Sequence, residues 1–180
     1  MSVIVKTLGT EKLKVNLLAS GDIHSITYDN FNVSLYRATS LAGGIANIFL
    51  RINDNGRIAH TPLIGAVSPA TAEVNENGVI YKGVFDGVEY EARLDVGATM
   101  WFWTVTAKSA RPGLTAELFY GQDVGLCAPN MNEAYVAQYL DHRSVFEEGG
   151  FHIVTKQNQW PELTLRQGAL TGTVSYATDG

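Results

Sequence analysis

Hydrophobic and polar residues alternate along most of this chain with a period of two, the signature of strands that bury one face. Val15, Leu17 and Ala19 alternate with polar neighbours up to Ser20-Gly21-Asp22, and Ile23–Tyr28 follows as a second strand. Asp29-Asn30 then turns into a third, Phe31–Tyr36. Residues Arg37 to Ala46, with Gly43-Gly44, read as a connecting loop. Asn47–Ile52 and Arg57–Ile64 flank Asn53-Asp54-Asn55-Gly56, a dense turn signal. The same grammar repeats where Asp86-Gly87 separates Val79–Phe85 from Val88–Asp95. After Arg111-Pro112-Gly113 comes a strand through Thr115–Tyr120. Strands at intervals of about ten residues predict an all-β antiparallel β-sandwich or barrel.

One run departs from alternation. Thr99–Thr106 carries Met100 and Phe102 on one face and Trp101, Trp103 and Val105 on the other. Two apolar faces predict a central strand covered on both sides. The competing reading is an aromatic sugar platform, which would need those rings exposed.

Beyond Tyr120 the pattern loosens into a loop from Gly121 to Met131. Residues 132–142 fit either a short helix capped by Asn132 or a strand face holding Tyr135, Ala137, Tyr139 and Asp141. Glu147-Glu148-Gly149-Gly150 marks a hairpin between Asp141–Val145 and Phe151–Lys156, and Gly168–Tyr176 reads as the last strand. With no repeat, linker or low-complexity tract, residues 1–180 are expected to form a single β-sandwich domain.

Composition narrows the function classes. The chain is 46% hydrophobic and 17% charged, which fits a chain with a packed core rather than a disordered one. A net charge of −5 with 13 Lys+Arg argues against a nucleic-acid partner. No apolar stretch approaches the roughly 18 residues of a membrane-spanning helix, so no membrane partner is expected. The amino terminus lacks the charged and apolar regions of a signal peptide, and the single Cys127 has no internal disulfide partner. A cytoplasmic location is the expectation. On the same ground, the Asn32-Val33-Ser34 sequon reads as chance.

Candidate chemistry is sparse. Asp22 and His24 form the best local metal pair among four histidines, but two ligands do not make a site. Glu89 and Glu91 share a strand face at a glycosidase-like spacing, yet such alternation is what a half-solvated strand shows. Asp141, His142 and Arg143 are consecutive and point alternately along a strand, so they cannot form a triad among themselves. Nucleophile-elbow, dinucleotide and phosphate-loop glycine patterns do not occur.

Several segments carry a resemblance. They are Asn-Glu-Ala-Tyr-Val-Ala-Gln-Tyr-Leu-Asp-His over 132–142, Gln157-Asn158-Gln159, Gln167–Thr171 and Ser175–Gly180. Ile48-Phe49-Leu50-Arg51, Asn77-Gly78-Val79 and Tyr81-Lys82-Gly83 belong with them. Together they resemble the amino-terminal region of bacterial β-1,2-oligoglucan phosphorylases of glycoside hydrolase family 94. That resemblance implies a supersandwich of the galactose-mutarotase-like kind, joined in the parent enzyme to a helical-barrel catalytic domain of the same chain. The barrel would hold the general acid and the site for inorganic phosphate, the co-substrate; no cofactor is implied, and no catalytic residue is assigned to this chain. The implied role is to support the barrel, build a homodimer and border the site for a β-glucan oligosaccharide. Glu133, Tyr135, Tyr139 and Arg51 are then the candidates for the substrate rim or for domain docking, and the stretches 37–46 and 121–139 are the candidates for the docking patch. The alternatives are a free-standing carbohydrate-binding module and a mutarotase-like sugar epimerase, the latter needing a His and a carboxylate converging in a cleft.

Overall fold

The computed structural model describes residues 4–29, 31–127, 140–147, 150–157, 162–172, 175 and 177. Among them are fourteen strands and no helix. All strand pairing is antiparallel. The chain divides into two compact units, Met1–Gly125 and Leu126–Gly180.

The first unit holds three sheets. One is the meander β1 (Ile4–Gly9), β2 (Leu13–Leu18), β3 (Ile23–Tyr28) and β4 (Phe31–Asn32). The second joins β5 (Asn47–Asp54) to β6 (Arg57–Pro62) on one side and to β11 (Leu114–Gly121) on the other. The third is the meander β7 (Thr71–Val74), β8 (Gly78–Phe85), β9 (Val88–Val96) and β10 (Trp101–Lys108). The second unit holds β12 (Leu140–Glu147), β13 (Gly150–Gln157) and β14 (Leu163–Gly168), a three-stranded meander.

Turn chemistry accounts for the tight hairpins. Asn55 and Gly56 both have positive φ, 52° and 91°, as do Asp86 and Gly87, 47° and 74°. Two successive left-handed residues make the two-residue loop whose twist matches the flanking strands, so Asp54 faces Arg57 and Phe85 faces Val88. Arg111 fastens these turns together. Its guanidinium donates to Asp54 Oδ2 at 2.7 Å and to the Asp86 carbonyl, while Arg57 pairs with the Asp86 carboxylate.

The core follows from alternation. Along β9, Val88, Tyr90, Ala92, Leu94 and Val96 are buried while Glu89, Glu91 and Arg93 face solvent. Ile48, Leu50 and Ile52 of β5, Val79 and Tyr81 of β8, and Leu13, Val15, Leu17 and Ile26 of the first sheet are buried with them. Each such side chain contributes about 1.5–3 kcal/mol on leaving water. The Tyr81 hydroxyl donates to the Gly21 carbonyl at 2.7 Å, tying the third sheet to the β2–β3 turn.

Four expectations need correction. The aromatic run is not a central strand: among the described residues β10 lies at the edge of its sheet, with β9 as its one sheet neighbour. Met100 and Phe102 are exposed, at 51% and 36%. The physical reason is register. Trp101, Trp103 and Val105 pair with Val96, Leu94 and Ala92 on the core side, which leaves Phe102 opposite Asp95 on the polar side. Second, the last strand among the described residues is Leu163–Gly168, where Leu163, Leu165 and Gln167 supply the half-buried alternation; of the expected strand 168–176, residues 169–172 are not strand and 173, 174 and 176 lie outside the described residues. Third, only Phe31 and Asn32 of the segment 31–36 are extended strand; Leu35 and Tyr36 instead bind the Asp123 carboxylate through their amides. Fourth, β1, β7 and β14 form where the sequence pattern predicts no strand. Residues 132–139 lie outside the described residues; the strand that follows begins at Leu140.

Candidate functional site

Two edge strands, β10 and β11, bound one side of the first unit. They are linked by side chains, Trp101 Nε1 donating to the Tyr120 hydroxyl at 3.3 Å. Tyr120 in turn donates to Gln122 Oε1 at 2.6 Å. Gln122 Nε2 then donates to Ser34 Oγ at 2.9 Å and to the Asp123 carbonyl at 2.8 Å. Asp123 closes the chain of contacts, its Oδ2 accepting from the amides of Leu35 at 2.5 Å and Tyr36 at 2.7 Å. A carboxylate that caps two successive amides fixes a loop without the help of strand pairing. The result is a polar belt that holds the β11 exit against the 33–36 segment.

Enclosure of the Tyr120 hydroxyl raises its pKa to about 12, burial being the main cause; the Trp101 hydrogen bond works against the rise, and the Asp123 charge adds to it. Burial and then the neighbouring Asp22 carboxylate push the Tyr81 hydroxyl up as well. Both phenols stay neutral donors through the physiological range. They serve as hydrogen-bond struts.

Around this belt the surface is apolar. Leu118 and Phe119 are each half exposed and Tyr120 is 40% exposed. Leu118 and Tyr120 pair with the fully buried Leu50 and Ile48, so they point to the core side of their sheet and yet remain open. Trp103 is half-buried, its ring centroid 6.1 Å from that of Tyr81 and tilted by 38°. Such tilted pairs add about 0.5–1.5 kcal/mol beyond area burial.

The residues singled out from the sequence fall elsewhere. Arg51 lies on the outer face of β5, directly opposite Glu117 of β11, and forms an ion pair with it. Glu133, Tyr135 and Tyr139 lie outside the described residues. Asp22 and His24 are not brought together as a ligand pair. The Asp22 carboxylate is buried against the Ser20 hydroxyl at 2.6 Å and the Ala66 amide at 3.0 Å, whereas His24 Nδ1 meets the Ala38 carbonyl at 2.7 Å. Glu89 and Glu91 are exposed, as alternation requires. Among the described residues no group of three or more His, Cys, Asp or Glu could hold a metal ion. The side chains of Asp141 and His142 are likewise outside the description.

What sequence reasoning missed is the belt from Trp101 to Asp123. The signal was present in Tyr120-Gly-Gln-Asp, where a strand's last aromatic meets two hydrogen-bonding side chains. Its partner Ser34, however, lies 88 residues away from Gln122.

Comparison with known proteins gives the chain its relatives. It is 30% identical, over 98% of its length, to a protein of Listeria innocua serovar 6a described as 1,2-beta-oligoglucan phosphorylase. The aligned stretch is 16% of the Listeria protein, so this chain spans about a sixth of that relative. The family described as SOGP N-terminal domain matches residues 16–180. With nearly all of its residues inside that match, the chain belongs to the SOGP N-terminal domain family.

Proposed function

We propose that this chain is the non-catalytic amino-terminal domain of an inverting phosphorylase acting on β-1,2-oligoglucans. It would support a helical-barrel catalytic domain of the same polypeptide, contribute to a homodimer and border the entrance to the active site. The observation that carries this reading is the alignment itself: it covers nearly all of this chain and only 16% of the phosphorylase it resembles. The Tyr81 and Tyr120 hydroxyls are spent on hydrogen bonds within the fold, and the Glu89 and Glu91 carboxylates on β9 face solvent. Inorganic phosphate would enter as co-substrate in the barrel, and a cytoplasmic location fits an enzyme that uses it.

The test is deletion. The phosphorylase polypeptide containing this domain should release glucose 1-phosphate from β-1,2-oligoglucan and phosphate. The same polypeptide without residues 1–180 should lose soluble, active enzyme. Full activity and unchanged melting temperature after the deletion would contradict the supporting role.

A sugar-binding module is the second reading, favoured by the exposed rings of Phe102, Phe119 and Tyr120. It requires that this chain alone bind β-1,2-oligoglucan, with quenching of Trp101 or Trp103 fluorescence. The absence of saturable quenching would remove it.

A further inference from the structure

Sheet edges present rows of unpaired backbone groups, and proteins blunt them with bulges, prolines, charges or short length. In the first unit four edges are blunted. The register of β1 shifts between Ile4 and Lys6, β4 has two residues, and β7 has four. Strand β6 ends on Pro62 and carries Arg57 and His60. The β10 edge has none of these devices. Its eight residues, Trp-Phe-Trp-Thr-Val-Thr-Ala-Lys, pair with β9 in unbroken register, contain no proline, and hold one charge, Lys108 at the end. The β11 edge beside it is equally long and unbroken.

The direction of the free donors follows from one hydrogen bond. The Gly97 amide donates to the Met100 carbonyl at 2.8 Å, making these two a hydrogen-bonded pair at the hairpin end. Pairs alternate in an antiparallel ladder, so Trp101 faces Val96 without hydrogen bonds, and the Val96 amide indeed donates away to Asn77. The amides of Phe102, Thr104 and Thr106 therefore point at β9. Those of Trp101, Trp103, Val105 and Ala107 point outward. On the core side of the same edge, Trp101, Trp103 and Val105 remain only half-buried.

We propose that the β10 edge, left unpaired by the described residues, is paired by an extended segment of the phosphorylase polypeptide that follows this amino-terminal domain. This rests on the reading given above, in which the chain is one part of a longer enzyme. A tethered segment is favoured over a separate molecule because the tether keeps it at high effective concentration. The aligned Listeria protein has most of its length outside the stretch matched here. The added strand continues the alternation of β9, apolar toward the Trp101, Trp103 and Val105 face and polar toward the face of Glu89, Glu91 and Arg93.

Residue-resolved hydrogen exchange on the full phosphorylase polypeptide tests this. A paired edge protects the amides of Trp103, Val105 and Ala107 as strongly as those of Phe102, Thr104 and Thr106, roughly a hundredfold or more over exposed amides. Fast exchange at the three outward amides with slow exchange at the three inward ones overturns the proposal. So does protection already complete in residues 1–180 alone, or protection that grows with protein concentration, which would mark a second copy as the partner. Ala107→Pro removes an outward donor without touching the β9 ladder and should release Trp103 and Val105, while Ala107→Ser should not. If the proline variant does not fold, exchange in the unsubstituted polypeptide still decides. Glucose 1-phosphate release by the same sample separates failure of this proposal from failure of the phosphorylase reading, since an active enzyme with a fast β10 edge refutes only the edge pairing.

Discussion

Strands β9 and β10 lie side by side in one sheet, share eight consecutive register pairs, and have opposite fates. In β9 every second residue is apolar, and all five of those residues are buried. In β10 the apolar residues occupy both faces and none is fully buried: Trp101, Trp103 and Val105 are partly covered, while Phe102 and Ala107 are exposed. Alternation is therefore the better guide to the core: a strand that is apolar on one side says where its neighbours are. A strand that is apolar on both sides says only that something belongs on each, and here the described chain supplies one of the two.

The comparison can be broken by substitution. The largest effect is expected at the β9 core: Leu94→Ala, fully buried, should cost about 2–5 kcal/mol in denaturant titration, through lost burial and the cavity left behind. Its β10 partner across the ladder, Trp103→Ala, should cost about 2 kcal/mol, less than a fully buried aromatic, because Trp103 is only partly buried. Equal costs at the two positions would mean that β10 is as central as β9. Arg111→Met should come next, at about 1–2 kcal/mol, because it leaves the Asp54 carboxylate and the Asp86 carbonyl without their shared donor. Phe102→Ser should change the stability of this chain by less than about 0.5 kcal/mol, as surface substitutions do.

Titration sharpens the picture at the β10–β11 seam. The pKa of Tyr120 is raised to about 12, above the value of about 10 expected for the unfolded chain. As pH rises past the unfolded value, the unfolded state loses its proton first, so the Tyr120 contribution to stability is present below about pH 10 and falls between pH 10 and 12. A spectrophotometric titration should show late-ionising tyrosine, and Tyr120→Phe should reduce it. An unchanged late phase in that variant would place the enclosed phenol elsewhere.

How far the sequence was readable depended on whether the controlling interaction was local. The Asn55-Gly56 and Asp86-Gly87 turns, and the strands they join, follow from a few residues and the sterics of positive φ. Thr71–Val74 went unread because it is a short edge strand, exposed throughout, with no buried face to impose a pattern. The capping of Leu35 and Tyr36 by Asp123 spans about 87 residues, and no local propensity reports it. At β10 hydrophobicity was legible but cover was not, since burial depends on what sits across the sheet.

The most direct measurement is the chemistry of this chain by itself. Residues 1–180, incubated at stoichiometric concentration with β-1,2-oligoglucan and inorganic phosphate, should form no glucose 1-phosphate above the rate without protein. Phosphate-dependent release of glucose 1-phosphate by this chain alone, abolished by a single carboxylate substitution within it, would contradict the proposal that it is a non-catalytic amino-terminal domain.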